Sequence, residues 1–111
     1  MKECFYDAAV NQFYYTVFDA ASALLLSKDI AVKFHSGTFQ QFSLHFIKTG
    51  LFTIGMQDDL IYCFQKRQKG DYNFLSDLSG EEANETFSRA KTFVAIAQHW
   101  VDLMLNVKLY P

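Results

Sequence analysis

The sequence predicts an all-α fold, an antiparallel up-and-down bundle of about four helices, on three observations. Apolar residues recur at helical spacing along most of the chain. The single proline is Pro111, the last residue, so no helix interior loses a backbone donor. Glycine is scarce, five residues in 111, and falls mostly where helices should break. No stretch requires a strand. The length suits one domain over residues 1–111, built on a single core.

The first helix is expected over residues 5–28. Tyr6, Val10, Phe13, Val17, Ala20, Ala21 and Leu24 form one apolar stripe. On the other side Tyr15, Phe18 and Leu25 are set among Asp7, Asn11, Asp19 and Ser22. Two apolar faces imply a sandwiched helix, whose second face meets either another helix of the bundle or a second subunit. After a loop over residues 29–35, Ser36 is placed to cap a second helix, with Phe39, Phe42, Phe46 and Ile47 inward and Gly50 as C-cap. A third helix should begin near Met56, with Asp58 and Asp59 favourable in its first turn. It carries Leu60, Ile61 and Phe64 toward Arg67–Tyr72, and Gly70 weakens it by about 1 kcal/mol relative to Ala. Ser79-Gly-Glu-Glu82 is a capping box that opens the fourth helix. Its stripe is Ala83, Phe87, Ala90, Val94, Ala97 and Val101, broadened by Phe93, Trp100 and Met104, and it reaches Val107.

Twelve Phe and six Tyr are more aromatic surface than one small domain easily hides, which places part of it in a subunit interface. The net charge of −2 exerts no global pull on nucleic acid or anionic membrane. Charge is uneven, however: Lys66, Arg67 and Lys69 cluster, and Asp77, Glu81, Glu82 and Glu85 follow. Cys4 and Cys63 fit no metal or redox spacing and read as small core residues in a reducing compartment. No secretory signal and no membrane span are visible, so the expectation is a soluble, cytoplasmic protein with no membrane partner. Gly-rich phosphate loops, Glu-x-x-His metal motifs and paired nucleophile and base are all missing, so neither metal nor cofactor is expected. His35 and His45 read as hydrogen-bonded structural residues.

What remains is Arg67-Gln-Lys-Gly-Asp-Tyr72. On a helix, Arg67 and Asp71 lie four apart and share a face with Leu60 and Phe64. Charge on a packing face needs a partner, because burying it unpaired is costly. Two explanations stand: an ion pair at the edge of the core, or a polar site between helices or subunits. The Asn11, Tyr14 and Tyr15 part of the first helix is the expected polar companion.

Together several segments resemble a known family. Ala9-Val-Asn-Gln-Phe-Tyr-Tyr-Thr-Val-Phe-Asp-Ala-Ala-Ser-Ala-Leu-Leu-Leu resembles the Asn-Arg-x-Tyr-Tyr-Ala-x-Phe helix of HEPN domains. His35-Ser-Gly-Thr, His45-Phe-Ile-Lys-Thr-Gly and Arg67-Gln-Lys-Gly-Asp-Tyr match later blocks in order and at similar spacing. The resemblance covers about residues 6–98. It implies an all-α bundle that commonly dimerises, with the Arg-bearing helix near the two-fold interface. Members are implicated in RNA cleavage, nucleotide binding, and toxin–antitoxin pairs with a minimal nucleotidyltransferase. Members often carry another helix before the Tyr-Tyr helix, and this chain begins too late to include all of it.

Two departures qualify what the resemblance implies. RNase-active members place a His after Arg and four to six residues; here those positions hold Tyr72, Asn73 and Phe74. Without imidazole the usual proton carrier near neutral pH is gone. Gln12 also stands where an Arg is usual. The reading is therefore a HEPN homodimer, non-catalytic or weakly catalytic, that binds a nucleotide, RNA or a minimal nucleotidyltransferase. Its ligand contacts are Asn11, Tyr15, Lys66, Arg67 and Lys69. The alternatives are a metal-independent RNase using Arg67, Asp71 and Tyr72 at a dimer interface, with His35 or His45 brought near, and a structural adaptor. The resemblance also marks Tyr72 as the position a partner nucleotidyltransferase would modify.

Overall fold

Helical periodicity and the lack of internal proline produce four helices and, among the described residues, no strand. The computed structural model describes residues 2–31, 35–72 and 78–109, with side chains over 5–31, 37–69 and 78–105. Helix α1 is Lys2–Ser27, α2 is His35–Phe42, α3 is Ile54–Tyr72 and α4 is Gly80–Leu109. A π-helical turn, Ser43–Ile47, continues α2. There the Lys48 amide donates to the Ser43 carbonyl at 2.8 Å, five residues back.

Contacts between helices give their directions. Asp59 meets Arg89, Cys63 meets Thr86 and Lys66 meets Glu82, so α3 and α4 are antiparallel. Arg67 meets Asn11 and Tyr15, and Phe64 meets Tyr14, so α3 also opposes α1. Phe13 with Phe87 and Ser27 with Trp100 make α1 and α4 parallel neighbours. Helix α2 opposes α3 as well, since Phe39 lies beside Phe64 while Lys48 and Gln57 line one pocket. Helix α3 thus runs opposite to the other three, while α1 is the helix that touches each of them.

The core holds Tyr14, Val17, Leu24 and Leu25 of α1 with Phe42, Phe46, Leu60 and Phe93, all at 0–2% exposure. Leu25, on the second apolar face of α1, is fully buried because α1 touches α2, α3 and α4 at once. Another helix of the bundle, rather than a second subunit, covers that part of the face. An aromatic series closes the far end: Phe46 stacks on Phe52 at 5.2 Å and meets the Trp100 edge at 5.7 Å. The Trp100 indole N–H donates to Ser27 Oγ at 3.0 Å, so its polar end is satisfied. Helix α1 stops in a left-handed Asp29, φ 61°, with the Ile30 amide donating to the Leu25 carbonyl.

Several local expectations shift. Helix α2 begins at His35, so Ser36 lies inside it rather than capping it. Gly50 does adopt φ 81°, but beyond the π turn, where its amide donates to the Ile47 carbonyl. Helix α3 begins at Ile54, which leaves its first turn without an acid and moves Asp58 and Asp59 to the second. The largest change is on α4. Phe87 is 49% exposed, whereas Thr86 is fully buried. Burying Thr86 is tolerable because its hydroxyl donates to the Glu82 carbonyl at 2.7 Å. That rotation leaves Phe87 at the rim, against Phe13 at 5.3 Å.

Candidate functional site

Residues 66, 67 and 69 are sequence neighbours that the helix sends to different seams. One residue of α-helix turns the side chain by about 100°, whereas residues three apart nearly share a face. Arg67 therefore points to α1, and Lys66 and Lys69 point to α4.

On the α1 side, Arg67 comes level with one turn of α1. Its Nε donates to Asn11 Oδ1 at 3.2 Å, and Nη2 donates to the Tyr15 hydroxyl at 3.2 Å. The guanidinium lies 5.0 Å from the Tyr14 ring centre and 5.2 Å from that of Tyr15. Tyr14 is the floor: it is fully buried, with Phe18 at 6.1 Å and Phe64 at 5.7 Å. Burial pushes the Tyr14 phenol above its ordinary pKa, and the Arg67 charge opposes that rise. Tyr15 stands at the rim, 37% exposed, and Arg67 is half-buried. The ring faces attract the cation at about 0.5–2 kcal/mol each, depending on desolvation. The companion expected from the sequence is the one the fold supplies.

On the α4 side a single carboxylate holds both lysines. Lys66 Nζ is 2.9 Å and Lys69 Nζ 3.0 Å from Glu82 Oε2. Glu82 also completes the expected capping box: Ser79 N donates to Oε1 at 3.1 Å, and Glu82 N donates to Ser79 Oγ at 3.0 Å. These bonds, the Lys66 ammonium foremost, hold the Glu82 carboxyl down to about 2 despite its partial burial. Lys66 and Lys69 therefore sit in the α3–α4 seam, not beside Arg67. Sequence reading missed this because Glu82 was already explained as a cap. Its position in the first turn of α4, opposite two lysines three apart, was the available signal.

Asp71 and Tyr72 continue the α3 backbone, and their side chains lie outside the described residues, as does that of His35. His45 is held on its own helix, with Nε2 donating to Gln41 Oε1 at 3.1 Å. Its carbonyl accepts from Lys28 Nζ, which places it about 20 Å along α1 from Tyr15. The structure does not bring His45 to Arg67.

A third cluster lies further along α3. Arg89 bridges Asp59 at 3.2 Å and Glu85 at 2.9 Å and covers the Tyr62 ring at 4.3 Å. Partial burial raises the Asp59 carboxyl, against the pull of Arg89. Beside it Cys63 is fully buried, its thiol pushed up to about 12 by burial and by the Asp59 charge. A thiol in that state is neutral at physiological pH and is no nucleophile. Among the described residues no group of His, Cys, Asp and Glu is arranged to hold a metal ion. No helix is long and apolar enough to cross a membrane among those residues.

A four-helix bundle that presents a tyrosine-seated arginine at the seam of α1 and α3 defines a small all-α domain with a built cationic contact. The HEPN domain profile matches residues 1–100, and the chain belongs to that family. A candidate toxin of Methanocaldococcus jannaschii is 34% identical over 90 residues, covering 81% of this chain and 61% of that protein. A UPF0332 protein of Thermotoga maritima is 33% identical over 87 residues, covering 78% and 66%. One from Gloeobacter violaceus is 31% identical over 100 residues, covering 89% and 79%. The chain thus spans about three-fifths to four-fifths of the length of these relatives. No solved structure matches it significantly.

Proposed function

We propose that this HEPN protein is toxin-like and works as a cytoplasmic homodimer in which Arg67 contacts a phosphate of RNA or a nucleotide. The observation that carries the reading is the seating of Arg67. An amide and a phenol fix the guanidinium by hydrogen bonds, and two ring faces back it, at a half-exposed seam. A planar guanidinium suits bidentate phosphate contact. Two copies across a two-fold axis would set two such groups side by side. The relatives named as toxins support the toxin-like part, and with it an antitoxin partner, for which a minimal nucleotidyltransferase is the candidate.

Catalysis is weak or lacking in this reading, since the residues at the motif's His positions are Tyr72, Asn73 and Phe74. The placement of His45 also weighs against the RNase alternative in which it assists Arg67. Calorimetric titration of a short RNA and a mononucleotide into the wild type, Arg67→Lys and Arg67→Ala tests the proposal. Binding should weaken about tenfold or more in Arg67→Ala, with partial retention in Arg67→Lys. No binding of either ligand to the wild type, or equal binding to all three proteins, overturns it.

A further inference from the structure

The α2–α3 face carries a pocket of about 370 Å³ in which no residue proposed above takes part. Gln57 on its wall lies ten residues, about 15 Å, along α3 from Arg67. Phe42 and Leu60, both buried, form its apolar base, with Phe39 and the 39%-exposed Ile61 also lining it. The π-helical turn supplies Ser43, and Lys48 follows immediately after that turn. Turns of this kind recur at functional sites.

The cations Lys28, Lys66, Lys69, Arg67 and Arg89 engage other protein groups. Among the described residues Gln40, Ser43, Lys48 and Gln57 line the pocket without a side-chain hydrogen bond or ion pair. Gln57 Oε1 is moreover sealed from solvent with no donor. Leaving a buried carbonyl unpaired costs about 1–3 kcal/mol. The terminal torsion of Gln is broad, so either end of the amide can turn into the pocket. A ligand that draws the oxygen out and donates to it recovers that cost.

We propose that this pocket binds a small aromatic carboxylate bearing an N–H donor. The single Lys48 ammonium takes the carboxylate, Gln57 takes the donor, and Phe39 and Leu60 pack the ring. Among the described residues one ammonium and no arginine line the pocket, which suits a monoanion better than a phosphate dianion, since that draws several charged donors. The size falls within the range of small-molecule sites, and a mostly apolar lining with a few convergent polar groups is their usual composition.

Amide chemical-shift titration with 4-aminobenzoate, benzoate and aniline tests the site on the wild type, Lys48→Gln, Gln57→Leu and Arg67→Ala. Lys48 is exposed, and Gln57→Leu removes an unpaired carbonyl, so neither variant threatens the fold. Saturable shifts from 4-aminobenzoate should centre on Gln40, Ser43, Lys48 and Gln57. Lys48→Gln should weaken binding about tenfold, as loss of a charge-assisted bond does. Benzoate should bind about fivefold more weakly than 4-aminobenzoate, and Gln57→Leu should erase that difference. Arg67→Ala should leave the titration unchanged, which separates this site from the anion contact. Shifts that do not saturate, that centre on Tyr15 and Arg67, or that persist equally in both pocket variants overturn the proposal. So does a lone water on Gln57 with no response to any of the three compounds.

Discussion

The two seams of α3 use the same kind of charge in opposite ways. In the α1–α3 seam an amide and two phenol rings orient Arg67 by hydrogen bonds and ring faces. In the α3–α4 seam carboxylates position Lys66, Lys69 and Arg89, and their charge is spent in pairs. A guanidinium oriented by an amide and ring faces at a half-exposed seam is suited to an outside anion. A cation closed onto a carboxylate is suited to holding two helices together. The difference separates Arg67 from its sequence neighbours more sharply than their shared charge joins them.

The largest effect should come from removing the platform of the first seam. Tyr14→Ala is expected to destabilise the fold by about 3–5 kcal/mol, measured by urea unfolding, because a fully buried ring is lost. Tyr14→Phe should cost far less and keep Arg67 seated. If the two variants are equally stable, Tyr14 is not the floor described above.

Next in size is the contrast in ligand binding. Arg67→Ala should weaken RNA binding about tenfold or more, while Lys66→Ala and Lys69→Ala should each change it less than about threefold at one fixed salt concentration. Equal losses at all three positions would dissolve the distinction between the seams.

A smaller effect is expected from Glu82. Its carboxyl is held down to about 2 in the fold, from an ordinary value near 4.5. The sign follows: its contribution is complete above about pH 4.5 and fades as pH falls toward 2, when the folded form must take up a proton. The groups are partly solvated, so the contribution should be on the order of 1 kcal/mol. Glu82→Gln should show that loss at neutral pH and a flatter stability profile between those values. It also releases Lys66 and Lys69, so it should raise affinity for anions if those lysines are otherwise spent.

The smallest response should be at Cys63. Iodoacetamide at neutral pH should leave its peptide unmodified in the folded protein, as read by mass spectrometry, because the thiol stays protonated and buried. Rapid native alkylation would show that the α3–α4 seam opens.

Much of this molecule is legible in its sequence wherever the cause is local. The apolar period and the absence of internal proline set four helices, and Ser79 with Glu82 sets the start of α4 within one turn. The pairing of Asn11, Tyr14 and Tyr15 with Arg67 was legible too, as the polar companion left once other chemistry was set aside. Boundaries were less so, as Asp58 and Asp59 illustrate. The broad apolar face of α4 offered two rotations, and nothing local chose the one that buries Thr86 and leaves Phe87 at the rim.

What the sequence by itself determined, then, is that helices form, where α4 begins, and which family the chain resembles. Only the tertiary structure decided that α3 opposes the other three helices, that Lys66 and Lys69 turn from Arg67 to Glu82, and that Gln57 is left without a donor. The physical reason is range. Capping and periodicity act within a few residues of chain. Helix direction, the choice between two seams and the pairing of a buried amide depend on groups tens of residues apart that meet only when the helices pack.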